Sequence, residues 1–200
     1  MKKIFALILA LAMLLCTVSA SAASLGSPFT FDLTLFRTYF ETFYNASVSS
    51  TNTISWIQSG NTVTITAPEL SDVILYTNSA GKVTHMVSIL TGPTSDMTYE
   101  AGTKLGYSSS LMAMSALMAE TGDVNALQAG AATIEDDYNV ILACLNESEG
   151  KTNLEMSAGA SSTGKLMGYP ANTFYRIDIS NLLNPQYYIE FTLAPTGSTF

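Results

Sequence analysis

ISWIQSGNTVTITAPELSDVILYTNSAGKVTHMVSILT, residues 54–91, predicts four short strands in a row with a turn after each. Val63, Ile65 and Ala67 alternate with threonines, which is typical of a strand with one apolar face and one hydroxyl face. Glycine and asparagine at 60–61 and 78–81 favour tight turns, because both residue types accept positive φ. An antiparallel meander is the simplest fold for this stretch.

The rest of the chain alternates between helical and strand patterns. Leu33, Phe36, Phe40 and Phe43 share one face of the first predicted helix. In the last two predicted strands, apolar and polar side chains alternate. The predicted helices are 31–46, 103–120, 124–128 and 131–145, and the final strands are 174–179 and 187–193. Residues 92–99 are predicted as a linker, and 146–164 as a polar segment with a weak strand near 153–157.

This order of elements predicts an α+β fold in which helices pack on one face of an antiparallel sheet. The strands form either one continuous sheet or two pseudo-repeated helix-then-meander halves, at about 30–92 and 103–195. We expect Phe40 to lie deep between the helices and the sheet. The apolar side chains expected to share one sheet system are Val63, Ile65, Val73, Leu75, Ile177, Ile179, Ile189 and Phe191.

The order of elements over the two halves resembles that of secreted bacterial β-lactamase-inhibitor proteins, which carry two helix-then-sheet repeats. The resemblance is one of topology, and no sequence motif carries it. It implies a proteinaceous inhibitor that presents a broad concave sheet lined with aromatic side chains. A shared fold does not by itself give a shared function.

Residues 1–22 have the pattern of a secretory signal peptide. Lys2 and Lys3 precede an apolar run, Ile4 to Leu15, and Ala20-Ser21-Ala22 is a small-residue cleavage site. The short basic start is typical of bacteria, and the apolar run is too short for a spanning helix. We therefore expect a secreted bacterial protein cleaved near Ala22, with residues 23–200 forming a single domain and no membrane span.

Removal of that segment leaves six basic residues against 16 acidic ones, a net charge of −10. Nucleic-acid binding is not expected, because phosphate neutralisation needs clustered lysine and arginine. Anionic lipid should not attract the chain either. Cys144 becomes the only cysteine, so no intramolecular disulfide can form, and we expect it to be a small buried hydrophobe. In the alternative reading, Cys16 is the lipidated first residue of a lipoprotein.

Two short motifs overlap between Gly159 and Leu166. GASSTGK, residues 159–165, has the spacing of a P-loop, but Leu166 replaces the serine or threonine that holds magnesium. Ser162 and Lys165 also match S-x-x-K of penicillin-recognising enzymes, whose further elements are missing from the 35 residues that follow. We expect a Gly/Ser-rich hairpin loop here.

No catalytic, cofactor or metal set is assembled by the sequence. His85 is the only histidine, and its pattern places it in a strand without deciding which face carries it. Glu135-Asp136-Asp137 lacks the alternating ligands of a calcium loop. The sequence therefore favours a non-catalytic protein without cofactor or metal, and it leaves enzymatic activity open.

Exposed aromatic side chains are the remaining candidates for recognition. Trp56, Phe174 and Tyr188 form the predicted interaction surface, because Phe174 and Tyr188 have the parity opposite to the apolar positions of their strands. The favoured function is an extracellular module that binds a protein or a glycan. The alternatives are a hydrolase with two carboxylates and a proteinaceous enzyme inhibitor.

Overall fold

The computed structural model describes residues 25–48, 53–96, 99–146 and 150–200. The predicted signal peptide, residues 1–22, lies outside the described residues, and so do Cys16 and the cleavage site near Ala22. The described chain contains helices and an antiparallel sheet, which confirms the predicted α+β class.

The described residues of the first half contain one helix and four strands, as predicted. The helix is α1, Leu33–Ser47, and Asp32 caps it by accepting a hydrogen bond from the Thr34 N–H. The strands that follow are β1 Ser55–Ser59, β2 Thr62–Thr66, β3 Asp72–Thr77 and β4 Val83–Pro93.

In the second half, the part of the chain that the structure describes contains a helical stretch and three strands. A 3₁₀ turn at Thr94–Asp96 precedes α2 Tyr99–Thr121, α3 Val124–Ile141, α4 Ala143–Asn146 and α5 Asn153–Met156. The strands are β5 Ala160–Leu166, β6 Tyr169–Asp178 and β7 Gln186–Leu193. Strand β4 extends to Pro93 in the segment predicted as a linker, because it pairs with β7 over its whole last part.

The described strands form one seven-stranded sheet in the order β1-β2-β3-β4-β7-β6-β5. Each neighbouring pair is antiparallel. Strands β4 and β7 join the two meanders, with Val87 opposite Thr192 and Ile89 opposite Glu190. The question of one sheet or two is therefore answered in favour of one.

One face of the sheet is buried under the helices. Seven of the eight side chains predicted to share the sheet system are buried, and Ile179 packs against them just beyond the end of β6. Phe40 is fully buried, as expected, and its ring lies against Trp56 and Phe36, with centroids 5.7 and 5.8 Å away. Small residues let α2 approach the sheet closely, and the Ser71 N–H donates to Ser108 Oγ of this helix at 3.0 Å.

Three sequence predictions in the second half were wrong. Residues 124–128 and 131–145 do not form separate helices, because α3 runs through Gly130, where a Cβ would meet the Met167 side chain at 2.8 Å. The weak strand near 153–157 is the helix α5, begun by a capping box between Thr152 and Glu155.

The third correction concerns the segment 146–164 and the Gly/Ser-rich loop predicted at 159–165. Residues 160–166 form an edge strand, β5, that pairs along its whole length with β6. Its first three inward positions, Ala160, Ser162 and Gly164, are small, and α3 and α4 lie close above them. A Cβ on Gly164 would approach Ile141 Cγ1 to 3.0 Å. The apolar alternation that signals a strand is therefore missing from this sequence.

Phe40→Ala should lower the free energy of unfolding by about 3–5 kcal/mol, because it removes a fully buried ring from a packed aromatic group. For a chain of this size, the thermal midpoint should fall by roughly 6–20 °C. Thermal unfolding of residues 23–200 followed by circular dichroism measures it. Leu35→Ala on the same helix, at a position 42% exposed, is the matched control and should change the midpoint little. An unchanged midpoint for Phe40→Ala would show that α1 is peripheral.

Candidate functional site

The second face of the sheet, called here the open face, has no described helix packed against it. The side chains that point to it are those of alternate strand residues that face away from the core. Across the centre of the sheet they follow the pairing of β3, β4, β7 and β6. The residues of the open face that carry rings, charges or hydrogen-bonding groups at its centre are Tyr76, His85, Asn172, Phe174, Arg176, Tyr188, Glu190 and Thr192.

The structure brings together two of the three predicted interaction residues. Phe174 and Tyr188 both lie on the open face, with ring centroids 6.4 Å apart and planes at 61°. Trp56 lies on the other side of the sheet, where its ring packs edge-on against Phe40 and the Arg37 guanidinium lies 5.2 Å from its centroid. Trp56 is therefore not part of one surface with Phe174 and Tyr188.

A stacked pair marks one side of the open face. The rings of Tyr76 and His85 lie parallel, with centroids 4.3 Å apart and an interplanar angle of 6°. A bulge between Tyr76 and Thr77 shifts the register, so that Val83 turns into the core while His85 stays on the open face. Burial lowers the pKa of His85 below its ordinary value, and the negative charge of Glu190 opposes that shift.

A second group lies around Tyr188. The Arg176 guanidinium carbon is 5.3 Å from the centre of the Tyr188 ring, which is cation–π geometry. The Tyr188 hydroxyl donates a short hydrogen bond to the Glu190 carboxylate, and Thr192 Oγ1 donates to the same carboxylate at 3.3 Å. Burial and this hydrogen bond raise the pKa of Tyr188 well above its usual range, because the bond requires the phenol proton.

The Tyr76–His85 stack and the group around Tyr188 lie on either side of a buried row of side chains. Val87, Thr192 and Asn172 follow one another across three strands and are only 4%, 8% and 4% exposed. The longer side chains of the flanking rows account for this burial. Across this row the negative charge of Glu190 opposes the lowering of the pKa of His85. The centre of the open face is therefore a buried row of small side chains flanked by aromatic and charged ones, which we call the rim cluster: Tyr76, His85, Phe174, Arg176, Tyr188 and Glu190.

Sequence reasoning found Phe174 and Tyr188 by strand parity, but it missed how the other rim residues join them. Tyr188 and Glu190 are two residues apart on one strand, so their shared face could be seen in the sequence. The stack of Tyr76 on His85 depends on the bulge, which the sequence does not signal. Arg176 reaches Tyr188 only because β6 and β7 pair in the observed register.

The motif at 159–165 has no catalytic geometry. Ser162 points to the core side, where its hydroxyl donates a short hydrogen bond to the Ile141 carbonyl, while Lys165 is exposed on the opposite face. The glycines lie at and beside an extended strand and do not form a phosphate-binding loop before a helix. Neither the P-loop nor the S-x-x-K reading fits this strand.

The other chemistry-bearing residues have structural roles in the described chain. Cys144 is buried, as predicted, and its Sγ lies 3.6 Å from the Thr173 carbonyl. In the acidic run 135–137, Asp137 accepts a hydrogen bond from the Met167 N–H at 3.0 Å. Among the described residues, no group of three or more His, Cys, Asp or Glu side chains could hold a metal ion.

The open face offers one pair of acids, Asp72 and Glu190, to the alternative of a hydrolase with two carboxylates. Asp72 pairs with Ile89, and Ile89 pairs with Glu190, so one strand separates the two acids. Strand spacing places their Cα atoms about 10 Å apart. By contrast, three carboxyl groups whose pKa is lowered, Asp32, Glu155 and Asp178, each accept a backbone hydrogen bond at a cap or turn.

No family model matches the chain, and no curated protein or solved structure resembles it at a significant level. Within the described ranges, no helix is both long enough and apolar enough to cross a bilayer. The resemblance to β-lactamase-inhibitor proteins therefore stays a matter of element order. Arguments about function have to start from the open face.

His85→Phe should make stability less dependent on pH below neutrality. The folded-state pKa of His85 is lowered, so the unfolded chain takes up the proton first, and the free energy of unfolding is lost as the pH falls below about 6.5. Phenylalanine keeps the ring but does not titrate. Urea unfolding between about pH 7 and pH 5 should therefore show a shallower decline for this variant.

Tyr76→Phe is the control for that measurement, because it keeps both the ring stack and His85. It should retain the pH dependence of the original protein. Equal slopes for His85→Phe and the original protein would contradict the assignment of the pH dependence to this histidine.

Proposed function

We infer that the protein is a secreted, non-catalytic binding module whose open face recognises an extracellular protein. One observation carries this proposal. The rim cluster gathers two aromatic pairs and charges of both signs on a sheet face that no described helix covers. Secretion is supported by the pattern of residues 1–22.

The rim cluster contains the residue types that dominate binding energies in protein interfaces. Tyrosine and arginine are enriched among such hot spots. Here Tyr76 and Tyr188 are already held, one by the stack on His85 and the other by Arg176 and Glu190. Little side-chain freedom remains to be lost when a partner binds, which favours affinity.

Geometry favours a protein over a glycan as the ligand. A sugar ring needs a free, flat aromatic face to stack on, and the stack of Tyr76 on His85 leaves only one face of each ring for this. Arg176 covers one face of Tyr188, and Phe174 meets its ring at a steep angle. The half-buried rings and the exposed Arg176 suit the mixed polar and apolar surface of a protein segment.

A proteinaceous enzyme inhibitor is a second candidate within the same class. It is favoured by the aromatic side chains of the rim cluster, since the topological resemblance implies a sheet lined with aromatic residues. In that case the partner is an extracellular enzyme, and binding blocks its active site. The hydrolase alternative would instead use Asp72 and Glu190 on a glycan or peptide substrate.

Immobilised residues 23–200 can be tested against a panel of purified envelope proteins, secreted enzymes and cell-wall glycans. For any ligand retained, Tyr188→Ala should weaken binding by about tenfold or more, because it removes a central aromatic anchor. Phe174→Ala should act in the same direction. Leu35→Ala, exposed on the helix side, should bind as the original protein does.

Equal affinity of all three variants would contradict the assignment to the open face. Retention of glycans alone would overturn the protein-binding proposal. Turnover of any panel member, abolished by Glu190→Gln, would establish the hydrolase alternative and exclude a non-catalytic module.

A further inference from the structure

The loop between β6 and β7 carries the two most exposed large apolar side chains of the described chain. Leu182 is 78% exposed and Leu183 is 98% exposed, and they are adjacent. Residues 179–187 contain no charged side chain, in a chain with 16 acidic residues. Single exposed leucines are ordinary on protein surfaces, but a neighbouring pair at the tip of an uncharged loop is a small apolar patch.

Hydrogen bonds hold the backbone of this loop, two of them within the loop and one to Thr94. The Leu183 N–H donates to Asn181 Oδ1 at 3.1 Å, and the Asn184 N–H donates to the Asn181 carbonyl at 3.1 Å. Pro185 has no N–H, and its carbonyl accepts from the Thr94 N–H at 3.0 Å. The loop thus holds both leucines outward while several of its own polar groups are already paired.

Pairing of this kind lowers the free-energy cost of entering an apolar phase, where unpaired backbone N–H and carbonyl groups are unfavourable. We propose that Leu182 and Leu183 form a membrane-surface anchor that inserts into the interface of a neutral, zwitterionic phospholipid bilayer. The loop contributes acyl-chain contacts through the leucines, and Asn181 and Asn184 stay at the level of the headgroups. This inference does not depend on the open face or on its ligand.

Charge decides which lipid surface fits. The chain after removal of residues 1–22 carries a net charge of −10, so an anionic bilayer repels it at low ionic strength. A zwitterionic surface presents no such repulsion to an uncharged loop. A convex tip of two side chains also needs no shaped pocket, since acyl chains adapt to it. Binding through two leucines is weak and reversible, because even a single, longer acyl chain gives only marginal membrane binding.

Vesicle flotation tests the anchor directly. Residues 23–200, which contain every element of the described core, are mixed with large vesicles of phosphatidylcholine and spun through a density gradient. The double variant Leu182→Ser, Leu183→Ser should lower the vesicle partition coefficient by about tenfold or more. Leu35→Ser, another exposed leucine, is the control and should not change it. Replacing a third of the lipid with phosphatidylglycerol should weaken flotation at low salt.

A second readout locates the contact. In a Leu183→Trp variant, phosphatidylcholine vesicles should shift the added tryptophan emission to shorter wavelength, and brominated acyl chains should quench it. Three outcomes would overturn the proposal: no flotation with phosphatidylcholine, equal flotation of the double variant, or stronger binding to phosphatidylglycerol. A change of oligomeric state in the double variant without a change in vesicle binding would assign the tip to self-association and also overturn it.

Discussion

The pairing of β4 with β7 is the constraint on which the rest of the structure depends. It joins a four-stranded meander from the first half of the chain to a three-stranded meander from the second, and its register runs from Met86 opposite Leu193 to Pro93 opposite Gln186. Without it, each meander would expose an edge strand with unpaired backbone groups at the centre of the molecule. With it, one sheet offers one apolar face to all the helices.

One-sided burial follows from this continuity and creates the open face. Each strand gives its apolar residues to the core, so the residues of opposite parity gather on the other side, where no described helix lies above them. There the side chains stabilise one another through the Tyr76–His85 stack and the contact of Arg176 with Tyr188. Such aromatic pairs contribute about 0.5–1.5 kcal/mol beyond the area they bury. A surface organised in this way before it meets a ligand is well suited to recognition.

The sequence predicted well where local signals agree with the fold. Threonine alternation placed Val63 and Ile65 on the core face, and the phenylalanine stripe placed Phe40 under the sheet. It failed where packing overrides local pattern. Strand β5 lacks a regular apolar alternation because α3 lies against it at Gly164, and α3 continues through Gly130, where the missing side chain leaves room for Met167.

Prediction of the candidate site also succeeded from local pattern and failed where contacts between strands decide. Parity along single strands identified Phe174 and Tyr188, but the partners that complete the rim cluster come from neighbouring strands. Their placement requires the register of three pairings and one bulge beside Tyr76, and none of these can be counted from one sequence. Trp56 is of a residue type common in interaction surfaces. Its pairing with Ile65, however, places its side chain on the core face, toward α1.

Disulfide trapping across the β4–β7 pair tests this account most directly. With Cys144 replaced by alanine, Val87→Cys and Thr192→Cys place two thiols at directly paired positions, whose Cα atoms lie about 4.5–5.5 Å apart. The account predicts that mild oxidation links these two positions and that peptide mass spectrometry finds the bond. It also predicts that Val87→Cys with Glu190→Cys, displaced by two residues, links poorly. Efficient linkage of the displaced pair, or none at Val87 and Thr192, would contradict the single sheet and the open face built upon it.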